Sequence, residues 1–248
     1  NLGVFLFKGG WPELYISEEL NSTRYLNDLI STFIEKDIVS AAGIEKKSAF
    51  SRSLQLVAGR IGQLFNASDI AKNVGVDLTT VQSWMELLAE NGILRSLRPY
   101  YTNLNQRLIK SPKYYFEDVG LAVRMQGWTE VQPLLLSPAV GHLVENIALN
   151  EITRFFVNRG EPPQIYCVRS KDKVEIDLLI QLPNQRFVAA EVKVTPEDFS
   201  KKQFDLLASL SLNVVEYWVL SPDGGDFHFK NAKNVSFRQI WSALESLA

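Results

Sequence analysis

The sequence predicts an α/β protein (α+β overall), with a helical N-terminal part followed by a mixed β-sheet flanked by helices. The N-terminal part carries apolar residues at helical spacing, as in the stretch from Tyr25 to Ile34. Two apolar, β-branched runs at 174–180 and 187–194 flank a Pro-Asn turn, which is typical of adjacent antiparallel strands. Around them, the order is helix, strand at 164–169, hairpin, helix near Phe199 and strand at 213–220.

Bulk properties limit the function classes. The 248 residues are 46% hydrophobic and 22% charged, which is typical of a globular protein with more than one domain. No apolar run has the length of a membrane span and no signal peptide is visible, so we expect a cytoplasmic protein without a membrane partner. The single cysteine, Cys167, suits the cytosol. Together with only His142 and His228, it argues against a zinc site.

The middle of the chain predicts a winged helix-turn-helix over 66–118. One helix begins at 66–71 with Ser68 as its cap, the turn is at 75–77, and the second helix covers 79–91 and is ended by Gly92. The segments 93–97 and 114–116 then pair as the wing. Such a domain binds DNA through its second helix or serves as a protein contact.

Charge favours the second use of this domain. The second helix exposes Glu86 and Glu90 and no lysine or arginine, which repels phosphate, and the net charge of −2 gives no general attraction. Basic residues lie in and after the wing, where they either contact a nucleic-acid backbone without reading its sequence or form a solvated loop. These candidates are Arg95, Arg98, Arg107, Lys110 and Lys113.

Charged residues inside the apolar hairpin form the candidate active site. Side chains alternate along a strand, so Glu175 shares a face with Asp177, and Glu191 shares one with Lys193. Buried charge is costly unless it is paired or bound to a metal. Mg²⁺ or Mn²⁺ would take oxygen ligands here and assist phosphodiester cleavage, with lysine orienting water or offsetting charge. A solvated edge-strand pair is the competing interpretation.

An acidic residue followed by E-x-K on the next strand resembles the core of the PD-(D/E)xK nuclease superfamily. Asp177 stands at the first position, Glu191 at the second and Lys193 at the third. Members often add a glutamate on the preceding helix, for which Glu145 is the candidate and Glu151 the competitor. The resemblance implies a restriction-endonuclease-like sheet. We therefore expect Asp177, Glu191 and the carbonyl of Val192 as metal ligands, with Glu145 contributing directly or through water.

A further resemblance rests on segments spread over nearly the whole chain: 9–13, 33–38, 66–71, 80–81, 87–88, 99–100, 110–121, 175–177 and 191–193. In these segments the chain resembles the C-terminal part of a bacterial and archaeal family of predicted AAA-type ATPases, whose C-terminal region is classed as domain of unknown function 4143. Lys36 departs from the family, which usually has arginine there. If that residue contacts a nucleotide or a neighbouring subunit, lysine would weaken a bidentate contact.

This resemblance implies an upstream ATPase module that the chain lacks, since no G-x-x-x-x-G-K-[ST] loop is present and the chain starts at Asn1 rather than Met. We expect a helical lid or connector at 1–65, the winged helix at 66–131 and the nuclease-like domain at 132–248, entered through a linker at 132–138. The candidate partners are nucleic acid, the ATPase module and a second copy of the chain. Two functions remain open: a metal-dependent nuclease module, or an inactive module that binds a partner and regulates the ATPase.

Overall fold

A computed structural model describes residues 1–100, 111–224 and 228–247. The chain divides into two compact units, residues 1–96 with 114–143, and residues 97–113 with 144–248. Each unit is described by itself below. The three-part division expected from the sequence, with boundaries after residues 65 and 131, stays a prediction.

The N-terminal part of the first unit is helical, as predicted. Its core includes the buried ring of Phe50, which packs edge-on against Trp84 with 5.4 Å between centroids. The segments are α1 (Leu2–Lys8), α2 (Glu13–Ile16), α3 (Ser22–Leu29), a π-helical segment (Ile30–Ile38), α4 (Val39–Ala41) and α5 (Lys47–Ala58).

Two helices and two strands follow where the helix-turn-helix was predicted: α6 (Ala67–Val74), α7 (Leu78–Glu90), β1 (Leu94–Pro99) and β2 (Lys113–Phe116). The cap of α6 differs from the prediction. The Asn66 side chain accepts a hydrogen bond from the Asp69 N–H, and Ser68 donates its hydroxyl to Asn66 instead of capping the helix. Gly75 ends α6 at φ 73°, a left-handed conformation that glycine adopts without a Cβ penalty.

Three further helices complete this part of the chain: α8 (Val119–Met125), α9 (Val131–Leu135) and α10 (Ala139–Asn158). The linker expected at 132–138 is wrong in its first half, because α9 forms there and buries Leu134. Proline is tolerated in the first turn of a helix, where its missing N–H has no intrahelical partner, so Pro133 does not prevent α9.

Two of the segments on which the family resemblance rests, 9–13 and 110–121, contact each other in the first unit through Gly9, Gly10, Asp118 and Gly120. Asp118 caps α8 by accepting a hydrogen bond from the Leu121 N–H at 3.0 Å, and its other oxygen accepts from the Gly10 N–H at 2.7 Å. Gly9 has φ 68°, and a Cβ there would lie on the Asp118 carboxylate. Gly120 packs so closely on Gly9 that an added Cβ would lie 2.7 Å from the Gly9 nitrogen.

Gly120→Ala is therefore expected to lower the free energy of unfolding by about 1–3 kcal/mol, because backbone atoms rather than a flexible side chain must move. Urea unfolding of the full chain measures the effect. Gly141→Ala is the matched control, since a Cβ there meets nothing within 4 Å, and we expect it to be neutral or slightly stabilising. Equal urea midpoints for Gly120→Ala and wild type would show that the close approach of Gly120 to Gly9 does not contribute to stability.

The remaining elements are β3 (Ile165–Arg169), β4 (Glu175–Leu182), β5 (Arg186–Val192), α11 (Lys201–Ser209), β6 (Asn213–Ser221), β7 (Lys233–Ser236) and α12 (Ile240–Glu245). The sheet is mixed, and in the described part of the chain it has seven strands in the order β2-β1-β3-β4-β5-β6-β7. The hairpin of β4 and β5 is antiparallel, as predicted, with Leu178 opposite Ala190. β1 is parallel to β3, β3 is antiparallel to β4, and β6 is parallel to both β5 and β7.

The core of the second unit lies between the central strands and α11. Side chains two residues apart on β4 and β5 share a face, so the core residues Leu179 and Ala189 are followed on that face by Asp177 and Glu191. The same cluster includes Val168, Ile176, Phe187, Phe199, Leu207, Leu210 and Val219. The packed hairpin therefore ends in carboxylates. No helix among the described residues is long and apolar enough to cross a membrane.

Candidate functional site

Two carboxylates replace backbone hydrogen bonds where the β4–β5 ladder ends. The last paired residues are Leu178 and Ala190. One residue further, the Asp177 carboxylate accepts a hydrogen bond from the Val192 N–H at 2.9 Å, and the Glu191 carboxylate accepts one from the Asp177 N–H at 3.2 Å. These bonds hold the carboxylates of Asp177 and Glu191 at the end of the hairpin.

Lys193 stands beside this pair. Its ammonium lies 3.2 Å from the Glu191 carboxylate, and its side chain is 35% exposed. Burial by itself would lower the pKa of Lys193, but the Glu191 and Asp177 carboxylates outweigh burial and raise it. Lys193 is therefore a cation at neutral pH. It can donate hydrogen bonds to water or phosphate but cannot accept a proton as a base.

A second lysine lies inside the site. Lys113, at the start of β2, is only 2% exposed and donates to the Glu145 carboxylate at 3.0 Å. The same ammonium lies 2.5 Å from the Glu175 carboxylate, whose other oxygen binds Arg169 at 2.7 Å. Burial would lower the pKa of Lys113, yet Glu145, Asp177 and Glu175 together raise it. This burial differs from the nucleic-acid contact predicted for Lys113, because its ammonium does not reach the surface.

The structure distinguishes between the two glutamates considered on α10. Glu145 is 5% exposed and is bound by Lys113, with its charge acting on Asp177. Glu151 is half-buried and pairs with Arg154 one turn along the same helix at 2.7 Å. Glu145 thus belongs to the acidic cluster and Glu151 to a local helical ion pair.

The surroundings of Asp177 and Glu191 disfavour the ionised form of both carboxyl groups. Burial, followed by the neighbouring charges of Glu145 and Glu191, raises the pKa of Asp177 well above its ordinary value. Burial also raises the pKa of Glu191, although Lys193 and the Asp177 N–H oppose the shift. Like charges at close range repel each other, so a bound cation would be favoured at this position.

Of the five residues proposed for nucleic-acid contact, the structure describes Arg95, Arg98 and Lys113. Arg95 pairs with Glu117 at 2.6 Å, and Arg98 is exposed on β1. The predicted contacts Arg107 and Lys110 lie outside the described residues. On α7, Glu86 and Glu90 are exposed, as expected from the sequence.

Sequence reasoning missed Gln203 as a site residue and did not find the cation that binds Glu175. Gln203 donates to the Glu175 carbonyl at 3.0 Å and hydrogen-bonds the Glu191 side chain. It also occupies the N3 position of the capping box that begins at Ser200, a local pattern that hides its long-range role. Glu175 was noted as sharing a face with Asp177, but its binding to Lys113 depends on a strand distant in sequence.

The donor set fits a hard divalent cation with few protein ligands. Asp177 and Glu191 supply carboxylate oxygens, and Mg²⁺ is commonly bound by one or two carboxylates plus water and phosphate. Across the described ranges, no group of three or more His, Cys, Asp or Glu side chains is arranged to hold a metal ion. Cys167 is buried, which raises the pKa of its thiol to about 12, so it is not a nucleophile.

The raised pKa of Asp177 predicts a pH-dependent effect of Asp177→Asn in metal-free buffer. A carboxyl whose pKa is raised on folding binds its proton more tightly in the folded state, so it destabilises the fold as pH rises above its unfolded pKa near 3.8. We expect Asp177→Asn to be more stable than wild type at pH 7, on the order of 1 kcal/mol. The difference should shrink as pH falls toward 4. Urea unfolding in EDTA across pH 4–8 measures it, and a constant or inverted difference would contradict the cause assigned here.

These features define a mixed α/β protein with an acidic site at the end of a buried hairpin. Residues 2–132 match the family described as a domain of unknown function, DUF8612, and the chain belongs to this family. Residues 140–240 match a second domain of unknown function, DUF4143, as predicted from the C-terminal segments. The acidic site falls mainly within the second match.

The chain is similar to two mycobacterial proteins. These are the uncharacterized protein Rv2008c of Mycobacterium tuberculosis and the uncharacterized protein Mb2031c of Mycobacterium bovis, each 24% identical over 206 residues. The alignments cover 83% of this chain and 46% of each relative, so the chain spans about half the length of the relatives it matches. No solved structure matches the chain significantly.

Proposed function

We propose that the second unit is a metal-dependent phosphodiesterase module of the nuclease type, with a restriction-endonuclease-like sheet, and that it belongs to a longer protein carrying an AAA-type ATPase. The observation that carries this proposal is the placement of Asp177, Glu191 and Lys193 at the end of one hairpin. The two carboxylates are held by backbone N–H groups and the ammonium stands beside them.

Each residue has a role in this proposal. Asp177 and Glu191, with the carbonyl of Val192, hold a divalent cation, which when bound would activate a water and offset charge on the phosphate. Lys193 remains protonated, so it donates a hydrogen bond to the attacking water or to a phosphate oxygen as charge develops there. Gln203 keeps the Glu191 side chain in place through its hydrogen bond.

The experiment that tests this proposal is a cleavage assay with Mg²⁺ or Mn²⁺ on single-stranded, duplex and branched DNA and on RNA. We expect metal-dependent cleavage of at least one of these substrates by wild type and none by Asp177→Asn. Cleavage that is equal in the two proteins would come from a contaminant. Loss of cleavage in EDTA, with recovery when Mn²⁺ is added back, completes the assay.

A second candidate is a catalytically inactive nuclease-fold and winged-helix module, with the winged helix at 66–131, that binds a protein or nucleic-acid partner and regulates the ATPase. One observation favours it specifically: the Lys193 ammonium is already engaged by Glu191, and both carboxylates already have backbone donors. A hairpin built in this way is satisfied without a metal or a substrate. No cleavage of any nucleic acid, together with no metal binding, would favour this candidate.

Under either candidate we expect weak DNA binding without sequence preference. The exposed face of α7 is acidic, and Arg95 is neutralised in part by Glu117. We predict a Kd for duplex DNA no tighter than roughly micromolar at physiological salt, and equal losses for all sequences in Arg98→Ala. Fluorescence anisotropy with unrelated duplexes measures this, and tight binding to one sequence would contradict it.

A further inference from the structure

We propose that Lys113 supplies, from within the chain, the positive charge that holds Glu145 and Glu175, so that the site takes one divalent cation, between Asp177 and Glu191. This inference rests on the proposed function of the same site. It assigns Glu145 to a position beside the metal rather than to the metal's own ligands, whereas the resemblance to nucleases left open a contribution directly or through water.

Lys113 lies between two carboxylates. Its ammonium donates a hydrogen bond to one oxygen of Glu145 at 3.0 Å and lies 2.5 Å from one oxygen of Glu175. The three side chains come from β2, α10 and β4, and Lys113 and Glu145 are nearly inaccessible to solvent. An ammonium between two carboxylates makes the burial of Lys113 and Glu145 tolerable, with half-buried Glu175 as the second anionic partner.

The cations of the chain are distributed unevenly among the four carboxylates of the site. Glu175 has a second cationic partner in Arg169, so Glu145 and Glu175 are neutralised by Lys113 and Arg169. Within the described ranges, Asp177 makes no ion pair, and Glu191 has only the partly exposed Lys193. The negative charge with the least compensation by cations of the chain therefore lies at Asp177 and Glu191.

Electrostatic repulsion disfavours a metal ion at Glu145. A divalent cation placed there would have to approach the fixed ammonium of Lys113, and like charges in a buried site repel strongly. At Asp177 and Glu191 the cation meets two carboxylates instead. Lys113 is thus a positioning residue: it keeps Glu145 and Glu175 apart from the metal and fixes where the metal binds.

The test counts Mn²⁺ bound per chain by isothermal titration and by electron paramagnetic resonance of free Mn²⁺, without any activity readout. We expect one Mn²⁺ for wild type and for Lys113→Arg. We expect a second Mn²⁺ for Lys113→Met, because the metal can then replace the missing ammonium between Glu145 and Glu175. If Lys113→Met is unfolded in EDTA, we expect it to fold when millimolar Mn²⁺ is added, because the metal then replaces the missing ammonium between Glu145 and Glu175.

A second variant keeps the inference falsifiable if Lys113→Met does not fold at all. Glu145→Gln should keep Mn²⁺ affinity within about tenfold of wild type, as expected for a residue outside the ligand set, whereas Asp177→Asn should lose binding. Two Mn²⁺ on wild type, or loss of binding in Glu145→Gln equal to that in Asp177→Asn, would overturn the role of Lys113 and leave the proposed function standing. No Mn²⁺ on wild type would overturn both.

Discussion

Lys193→Ala is expected to reduce metal-dependent cleavage by about 10²–10³-fold while leaving Mn²⁺ binding close to that of wild type. The ammonium is held beside Glu191 and carries its charge at neutral pH, so it serves the developing charge of the reaction rather than the metal. Single-turnover cleavage at saturating Mn²⁺, together with isothermal titration, separates the two effects.

Lys202→Ala is the control for this prediction, because Lys202 is an exposed lysine on α11 and has no ion pair among the described residues. We expect it to cleave like wild type. A Lys193→Ala variant that cleaves normally would remove Lys193 from the mechanism. A variant that loses Mn²⁺ binding as well would show that Lys193 acts by organising Glu191.

Lys113→Met is expected to lower the free energy of unfolding by about 3–5 kcal/mol in metal-free buffer, because buried Glu145 loses the ammonium that binds it and half-buried Glu175 keeps only Arg169. The pH dependence follows from the raised pKa of Lys113. The contribution of its ammonium to the free energy of unfolding is complete at neutral pH and is lost only as pH rises beyond the ordinary lysine pKa of 10.5. Urea unfolding at pH 7 in EDTA measures the loss.

Two controls separate this charge effect from a packing effect. Lys233→Met removes an exposed ion pair with Glu216, at 3.6 Å, and should cost at most about 1 kcal/mol. The double variant Lys113→Met, Glu145→Gln removes the buried carboxylate that loses its cation and keeps Glu175 paired with Arg169, so it should recover most of the stability. A double variant as unstable as Lys113→Met alone would show that the shape of the lysine, not its charge, is what the site requires.

Local patterns were sufficient to predict the hairpin and its acidic end. Period-two alternation and a Pro-Asn turn are short-range signals, so β4 and β5, and with them Asp177, Glu191 and Lys193, were predicted correctly as neighbours. The helical N-terminal part followed from apolar spacing in the same way. The pairing of β1 with β3 could not be predicted, because parallel partners far apart in sequence leave no local pattern.

The role of Lys113 shows the same limit at the level of one residue. In the sequence it is one of several basic residues near a predicted wing, and a lysine is usually exposed. Its burial depends on the approach of Glu145 from α10 and Glu175 from β4, both distant along the chain. A lysine at the start of an otherwise apolar strand, followed by buried Tyr115 and Phe116, was the one available signal.

The central claim, that Asp177 and Glu191 bind a divalent cation, is tested most directly by the melting temperature of the full chain as Mn²⁺ is raised to millimolar concentration. A ligand that binds only the folded state stabilises it, so we predict a rise of roughly 5 °C for wild type and for Lys193→Ala. Asp177→Asn should show no rise. A wild-type melting temperature that does not change with Mn²⁺, or an equal rise in Asp177→Asn, would contradict this account and leave the regulatory module as the function to pursue.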